Sequence, residues 1–172
     1  MQNLYRTPTV YDFARIVQRA ECVFASYSEQ GKELGKHGTA IIAQYGDKTI
    51  IQLDLHDLPP GLHGFHIHEG KELGKGCASL GPHYNPYEHT HGAPNQPNSH
   101  LGDLGNITVN AAGKCNTEIK SYHVHLNGPY TVVGRSMIIH ADPDDMGLGG
   151  HKDSLESGHS GARIACGIIM AT

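Results

Sequence analysis

With 172 residues, the chain has the usual length of one domain, and 22 glycines, 9 prolines and no tryptophan favour short strands and turns over a helical bundle. The formal net charge is −4 and no basic run exists, which argues against nucleic acid as a partner. No apolar run is long enough to cross a membrane, and the N-terminus lacks a secretory pattern, so the sequence predicts a cytoplasmic protein.

The first 19 residues carry little pattern. Val10, Phe13 and Val17 recur at helical spacing, which fits a short amphipathic helix and a loose arm equally well. We predict that residues 1–19 form an N-terminal extension without chemistry of its own. Residues 20–172 then form a single domain, because neither a linker nor an internal repeat interrupts them.

From Cys22 onward, short apolar runs alternate with turn residues. Ile51, Leu53 and Leu55 occupy every second position near the end of residues 48–55, which is the period of a half-buried strand. Similar runs predict strands at residues 22–25, 39–44, 48–55, 64–68, 106–109, 115–122, 132–140 and 163–171. Eight such strands indicate an all-β fold, an antiparallel Greek-key barrel or immunoglobulin-like sandwich.

Two long segments, residues 69–101 and 142–161, show no sustained periodicity. A loop of 33 residues is uncommon in a compact domain unless something ties it down. Metal ligands and a disulfide would both provide such ties. We therefore predict that the barrel carries two long functional loops.

Histidines are concentrated in residues 63–103, where seven occur among 41 residues. His66 and His68 share one face if residues 64–68 form a strand, so both imidazoles can reach one metal ion. This pair alone is a weak signal. His140 ends an apolar run, and a buried histidine there requires a polar partner, whether or not it binds metal.

A second group combines three imidazoles with one carboxylate at spacings of 8, 9 and 3 residues. Its members are His83, His91, His100 and Asp103. Such a group can complete a tetrahedral zinc site. Because a loop of this length needs an interaction that fixes it to the domain, zinc binding is favoured over the alternative that these histidines are ordinary polar loop residues.

Six strings together resemble the copper/zinc superoxide dismutase family. They are GFHIHE at 64–69, GPHYNP at 81–86, HGAP at 91–94, HLGDLGN at 100–106, GRSMIIHAD at 134–142 and GARIACG at 161–167. The similarity covers residues 20–172. It implies a sandwich-type β fold and an enzyme of antioxidant defence, which converts superoxide into dioxygen and hydrogen peroxide through a copper redox cycle.

The resemblance also implies two metal sites with one copper and one zinc ion per subunit. The copper set contains His66, His68, His83 and His140. The zinc set contains His83, His91, His100 and Asp103. His83 would therefore bridge the two ions. Asp144 would act from outside both sets as the carboxylate that links His66 with His91.

Two cysteines and an arginine complete the implied site. Cys77 and Cys166 correspond to the family's intrasubunit disulfide, which would join the first loop to the last strand. Arg163 corresponds to the guanidinium beside copper that holds the anion. We expect Cys22 to be a buried core thiol and Cys115, after a Gly-Lys turn, to be an exposed free thiol.

The second long loop departs from the family pattern in its charges. Asp142 and Glu156 stand where lysines are common, so we expect Arg163 and copper to supply the main attraction for superoxide. Longer-range attraction then falls to Lys152, together with Lys71 or Lys75.

Two further features concern partners. The interval from His68 to Cys77 has the length found in family members of the eukaryotic type that pair as homodimers. Residues 162–165 contain no proline, which resembles members that mature without a dedicated copper chaperone.

Two other functions fit parts of the pattern. A related module that carries or docks metal without turnover usually lacks a copper ligand or the arginine, whereas both are complete here. The second alternative is a structural protein in which zinc alone stabilises the loop. It would give no role to His66, His68 and His140. The sequence therefore favours the enzyme.

Overall fold

The computed structural model describes residues 18–172, and the predicted extension lies almost entirely outside the described residues. The division of the chain at residue 19 therefore stays a prediction. The strands are β1 (Arg19–Tyr27), β2 (Glu33–Tyr45), β3 (Lys48–Leu55), β4 (Gly61–His68), β5 (Gly74–Cys77), β6 (Asp103–Val109), β7 (Cys115–Ser121), β8 (Ser136–His140) and β9 (Arg163–Ala171).

Eight of these strands form one antiparallel sheet in the order β6-β4-β8-β9-β1-β2-β3-β7. The edge strands β6 and β7 approach each other, so the sheet curls into a nearly closed barrel. The connections from β3 to β4 and from β7 to β8 join strands that are not neighbours in the sheet, as in Greek-key folds. The prediction of an all-β antiparallel barrel is confirmed.

The barrel core follows the alternation that the sequence predicts. In β3, Ile51, Leu53 and Leu55 are buried, while Gln52 and Asp54 are exposed. In β8, by contrast, all five residues are buried, since one face meets the core and the other is covered by the long loops. A strand covered on both faces is suited to hold a buried site.

Several predicted strand boundaries were wrong, and the two largest differences are at the starts of β2 and β8. β2 begins at Glu33 instead of residue 39, because polar residues suffice for a partly exposed strand that pairs with β1 through local register shifts. β8 begins at Ser136 instead of Val132, because Gly134 adopts a positive φ of 83° in a turn.

The two predicted loops are present and contain short elements. The first holds β5 and a 3₁₀ turn at Ala78–Leu80, and the second holds a short helix, α1 (Ser154–Ser157). The disulfide between Cys77 and Cys166 is confirmed and joins the first loop to β9 across 89 residues. Among the described residues, no helix is long and apolar enough to cross a membrane.

The two free cysteines are both buried. The prediction for Cys22 is confirmed. The prediction that Cys115 is exposed was wrong: it pairs with Leu55 at the start of β7 and packs into the core with 3% of its surface accessible. Burial raises the pKa of both thiols, which disfavours the reactive thiolate.

Candidate metal centre

The copper set is assembled from β4, β8 and the first loop. Alternate residues of β4 point into the core, which leaves His66 and His68 on the outer face of the strand. His140 ends β8, the strand that pairs with β4, and His83 joins the group through an isolated β-bridge to His68. One nitrogen from each of the four rings lies within 4.8 Å of the others, and all four side chains are buried.

Hydrogen bonds to the second ring nitrogen orient these imidazoles. His68 Nδ1 lies 2.8 Å from the carbonyl oxygen of Gly81, and His140 Nδ1 lies 3.2 Å from that of Gly161. Both rings therefore direct Nε2 inward, where the two Nε2 atoms lie 3.3 Å apart. Fixing one nitrogen by a hydrogen bond is how proteins hold the other ready for a metal.

The zinc set converges on one carboxylate oxygen. Asp103 Oδ1 lies 3.0 Å from His83 Nδ1, 2.9 Å from His91 Nδ1 and 3.2 Å from His100 Nδ1. The other oxygen, Oδ2, accepts hydrogen bonds from the backbone N–H groups of Gly92 and His100. The loop is thereby closed around Asp103 at the start of β6.

His83 belongs to both sets. Its Nδ1 faces the zinc set, whereas its Nε2 is buried without a hydrogen-bond partner. His66 Nδ1, in the copper set, is likewise buried and unpartnered. Because buried polar atoms in proteins are nearly always hydrogen-bonded, two unpartnered ring nitrogens in one cluster fit a site that takes a metal ion. Four imidazoles suit copper, and three imidazoles with a carboxylate suit zinc.

Asp144 connects the two sets from outside. Its Oδ2 lies 2.7 Å from His66 Nε2, and its Oδ1 lies 2.7 Å from His91 Nε2. The backbone of Asp144 is held in turn by Asn106, whose side-chain amide donates to Asp144 O at 2.9 Å and accepts from Asp144 N at 2.7 Å. Sequence reasoning missed Asn106, although it ends the HLGDLGN string that carries two zinc ligands.

The copper set favours neutral rings. Burial, followed by the nearby charge of His83, lowers the pKa of His66 and His68 well below the usual range. Burial also lowers the pKa of His140 to about 4. Neutral imidazole is the form that binds a transition metal, so this pocket is ready for an ion at neutral pH.

Two members of the zinc set, Asp103 and His91, favour their charged forms. Burial alone would raise the pKa of Asp103, but hydrogen bonds from His100, His83 and His91 outweigh burial and hold it well below the usual range. Burial likewise opposes protonation of His91, yet hydrogen bonds to Asp103 and Asp144 raise its pKa to about 9. Protonated His91 thus compensates the carboxylate charge where the metal-free protein lacks a cation.

Arg163 is fixed beside the copper set. It pairs with His140 in the β8–β9 register, and its guanidinium donates to the carbonyl oxygens of Cys77 and Gly81. Gly81 also accepts the hydrogen bond from His68, so one carbonyl holds both the cation and a copper-set ring. Burial lowers the pKa of Arg163, but a guanidinium stays charged at physiological pH.

The other histidines lie outside these sets. Both ring nitrogens of His63 contact backbone carbonyl oxygens, those of Pro59 and His140, so this histidine links β4 to the end of β8. His89 is partly buried, and its ring lies 3.1 Å from Ser99 O. His151 and His159 stack with ring centroids 3.7 Å apart on the second loop.

Comparison with known proteins overturns one prediction. A curated relative from Brugia pahangi, named extracellular superoxide dismutase [Cu-Zn], is 41% identical over 170 residues, which are 97% of this chain and 84% of the relative. The prediction of a cytoplasmic protein is therefore wrong. The intrachain disulfide agrees with the correction, because such bonds persist in oxidising compartments.

A solved structure and a family model also match this chain. A crystal structure titled as that of the clock protein EA4 matches with a TM-score of 0.82 and 33% identity, covering 98% of this chain and all of that chain. The family model described as copper/zinc superoxide dismutase matches residues 36–169. This chain belongs to the copper/zinc superoxide dismutase family.

Proposed function

We propose that this protein converts superoxide into dioxygen and hydrogen peroxide, with copper bound by the copper set and zinc bound by the zinc set. The observation that carries the assignment is the pair of buried donor groups that share His83. Copper, when bound, supplies the one-electron redox chemistry, and zinc supplies a fixed, redox-silent charge.

His83 and Arg163 carry the residue chemistry of this proposal. Arg163 is anchored to two backbone carbonyls, so its charge stays in place and can hold a small anion beside the copper set. His83 is held at Nδ1 on the zinc side, which leaves Nε2 as the atom that can take up a proton and pass it to the reduced substrate.

Extracellular location and homodimerisation are further parts of the proposal. The name of the Brugia pahangi relative and the disulfide support the location. The length of the interval from His68 to Cys77 supports a homodimer, and the proline-free residues 162–165 support maturation with no obligatory copper chaperone.

Metal analysis combined with a superoxide-decay assay tests the proposal. We expect one copper ion and one zinc ion per chain, together with accelerated decay of superoxide. Stoichiometric copper without accelerated decay would instead indicate a metal-carrying module. Zinc alone, with copper excluded even on reconstitution, would indicate a structural zinc loop on an inert barrel.

A further inference from the structure

We infer that Arg135 and Tyr84 position the shared histidine from outside both metal sets. Arg135 directly precedes β8, and its Cζ lies 3.6 Å from the centroid of the Tyr84 ring. Tyr84 directly follows His83 and is 5% exposed. The guanidinium therefore packs over the residue next to the bridging ligand.

The same guanidinium holds a second ligand-bearing segment. Arg135 Nη1 donates to the carbonyl oxygen of Glu69 at 3.1 Å, and Glu69 directly follows His68 of the copper set. Its Nε donates to Thr131 O at 3.3 Å. The Arg135 backbone accepts a hydrogen bond from Ile169 N in β9, so the side chain extends from a fixed point.

Tyr84 transmits this constraint through its backbone. Its N–H donates to Ile67 O at 2.8 Å, between the copper ligands of β4, and its carbonyl accepts from Gly102 N at 3.0 Å, next to Asp103. Gly102 has no spare room, since a Cβ there would lie 2.1 Å from Ile67 O. A shift of Tyr84 would thus move His83 relative to both metal sets.

The contacts at position 135 can be made by arginine but not by lysine. A planar guanidinium can lie against an aromatic face while its N–H groups donate in the plane to two carbonyls. A lysine ammonium cannot reach the ring and both carbonyls together. We therefore assign Arg135 as a positioning residue for His83, an assignment that rests on the proposed metal sites.

The test compares the purified, metal-loaded protein with Arg135→Met, Arg135→Lys, Tyr84→Leu and the Arg135→Met/Tyr84→Leu double variant. The measurements are the zinc dissociation constant, the visible spectrum with cobalt(II) in place of zinc, and the copper(II) EPR spectrum. Arg135→Met should weaken zinc binding on the order of tenfold and shift both spectra, since support residues have effects of this size. Arg135→Lys should recover only part of the loss.

Two comparisons separate positioning from general destabilisation. The double variant should lose less zinc affinity than the sum of the two single losses, because both single changes break the same contact between Arg135 and the Tyr84 ring. Leu53→Ala, in the core of β3, should lower the melting temperature without shifting the metal spectra. Additive losses in the double variant, or equal spectral shifts in Leu53→Ala, would overturn the inference.

These readouts also remain distinct from the proposed function. If the unmodified protein bound zinc and copper but did not accelerate superoxide decay, the proposed function would fail. The zinc affinities and spectra of the variants would still decide whether Arg135 positions His83.

Discussion

The copper half and the zinc half of the site are built in opposite ways. Three of the four copper-set histidines lie on the adjacent strands β4 and β8, whereas the zinc set comes from the first loop and the residue where β6 begins. The strand-borne half holds its imidazoles neutral, with the pKa of His140 lowered to about 4. The loop-borne half pairs Asp103 with His91, whose pKa is raised to about 9.

The two halves are therefore held in place by different interactions: the copper set by the strands of the barrel, and the zinc set by charged hydrogen bonds. The strands already fix the copper set through the barrel, so uncharged rings can stay close together there. The loop has little regular structure, and its convergence on Asp103 depends on charge-assisted hydrogen bonds to that carboxylate. His83 is the point at which the two constructions meet.

Substitution of His83 should have the largest effect on activity, because this histidine is the ligand shared by the copper set and the zinc set. We expect His83→Ala to keep the fold and to lose activity on the order of 10²-fold or more, since a metal ligand and a proton carrier disappear together. The copper EPR spectrum of the unmodified protein should change when zinc is removed, and that of the variant should not. A variant copper spectrum that still responds normally to zinc removal would contradict the shared role.

Substitution of Asp144, whose carboxylate links the two halves from outside, should have the second-largest effect. Asp144→Asn can no longer accept charge-assisted hydrogen bonds from both His66 and His91, so zinc affinity should fall about 10- to 100-fold. Asp145→Asn is a matched control, because the neighbouring carboxylate accepts a hydrogen bond from Ser154 and contacts neither histidine. Competition with a zinc chelator measures both. Equal losses in the two variants would refute a specific role for Asp144.

The opposite pKa shifts predict a stability maximum for the metal-free protein. His140 titrates near 6.5 when unfolded and about 4 when folded, so below pH 6.5 the unfolded state binds the extra proton and stability falls by about 1 kcal/mol per pH unit. His91 titrates at about 9 when folded, so its stabilisation is complete below pH 6.5 and is lost as pH rises through 9.

Urea unfolding of chelator-treated protein between pH 4.5 and about 9.5 measures both limbs. His140→Gln should flatten the acid limb in part, because His66 and His68 contribute in the same direction. His91→Gln should flatten the alkaline limb. A curve that rises or falls steadily through neutral pH would show that the two halves are not electrostatically opposed.

Local patterns predicted the eight barrel strands and the zinc set, because a period of two and the spacing of zinc ligands are visible in the residues themselves. The copper set, which joins His140 to residues of β4 and the first loop, followed only from the family resemblance. Sequence reasoning missed Asn106 and Arg135, whose side chains act mainly on backbone atoms of distant segments. Such contacts leave no signature in residue type. The error at Cys115 has a similar cause, because burial there depends on pairing with Leu55, sixty residues earlier.

The smallest expected effect concerns the charges around the two halves. If Arg163 and the copper set supply the main attraction, added salt should lower the rate only about two- to threefold, because short-range attraction in a partly buried site is weakly screened. Lys152→Gln should lower the low-salt rate slightly and Glu156→Gln should raise it, since both side chains are exposed on the second loop. Measuring kcat/KM against ionic strength for the three proteins checks this. A rate that rises steadily with salt in the unmodified protein would mean that the net field repels superoxide, and the proposed attraction would then be wrong.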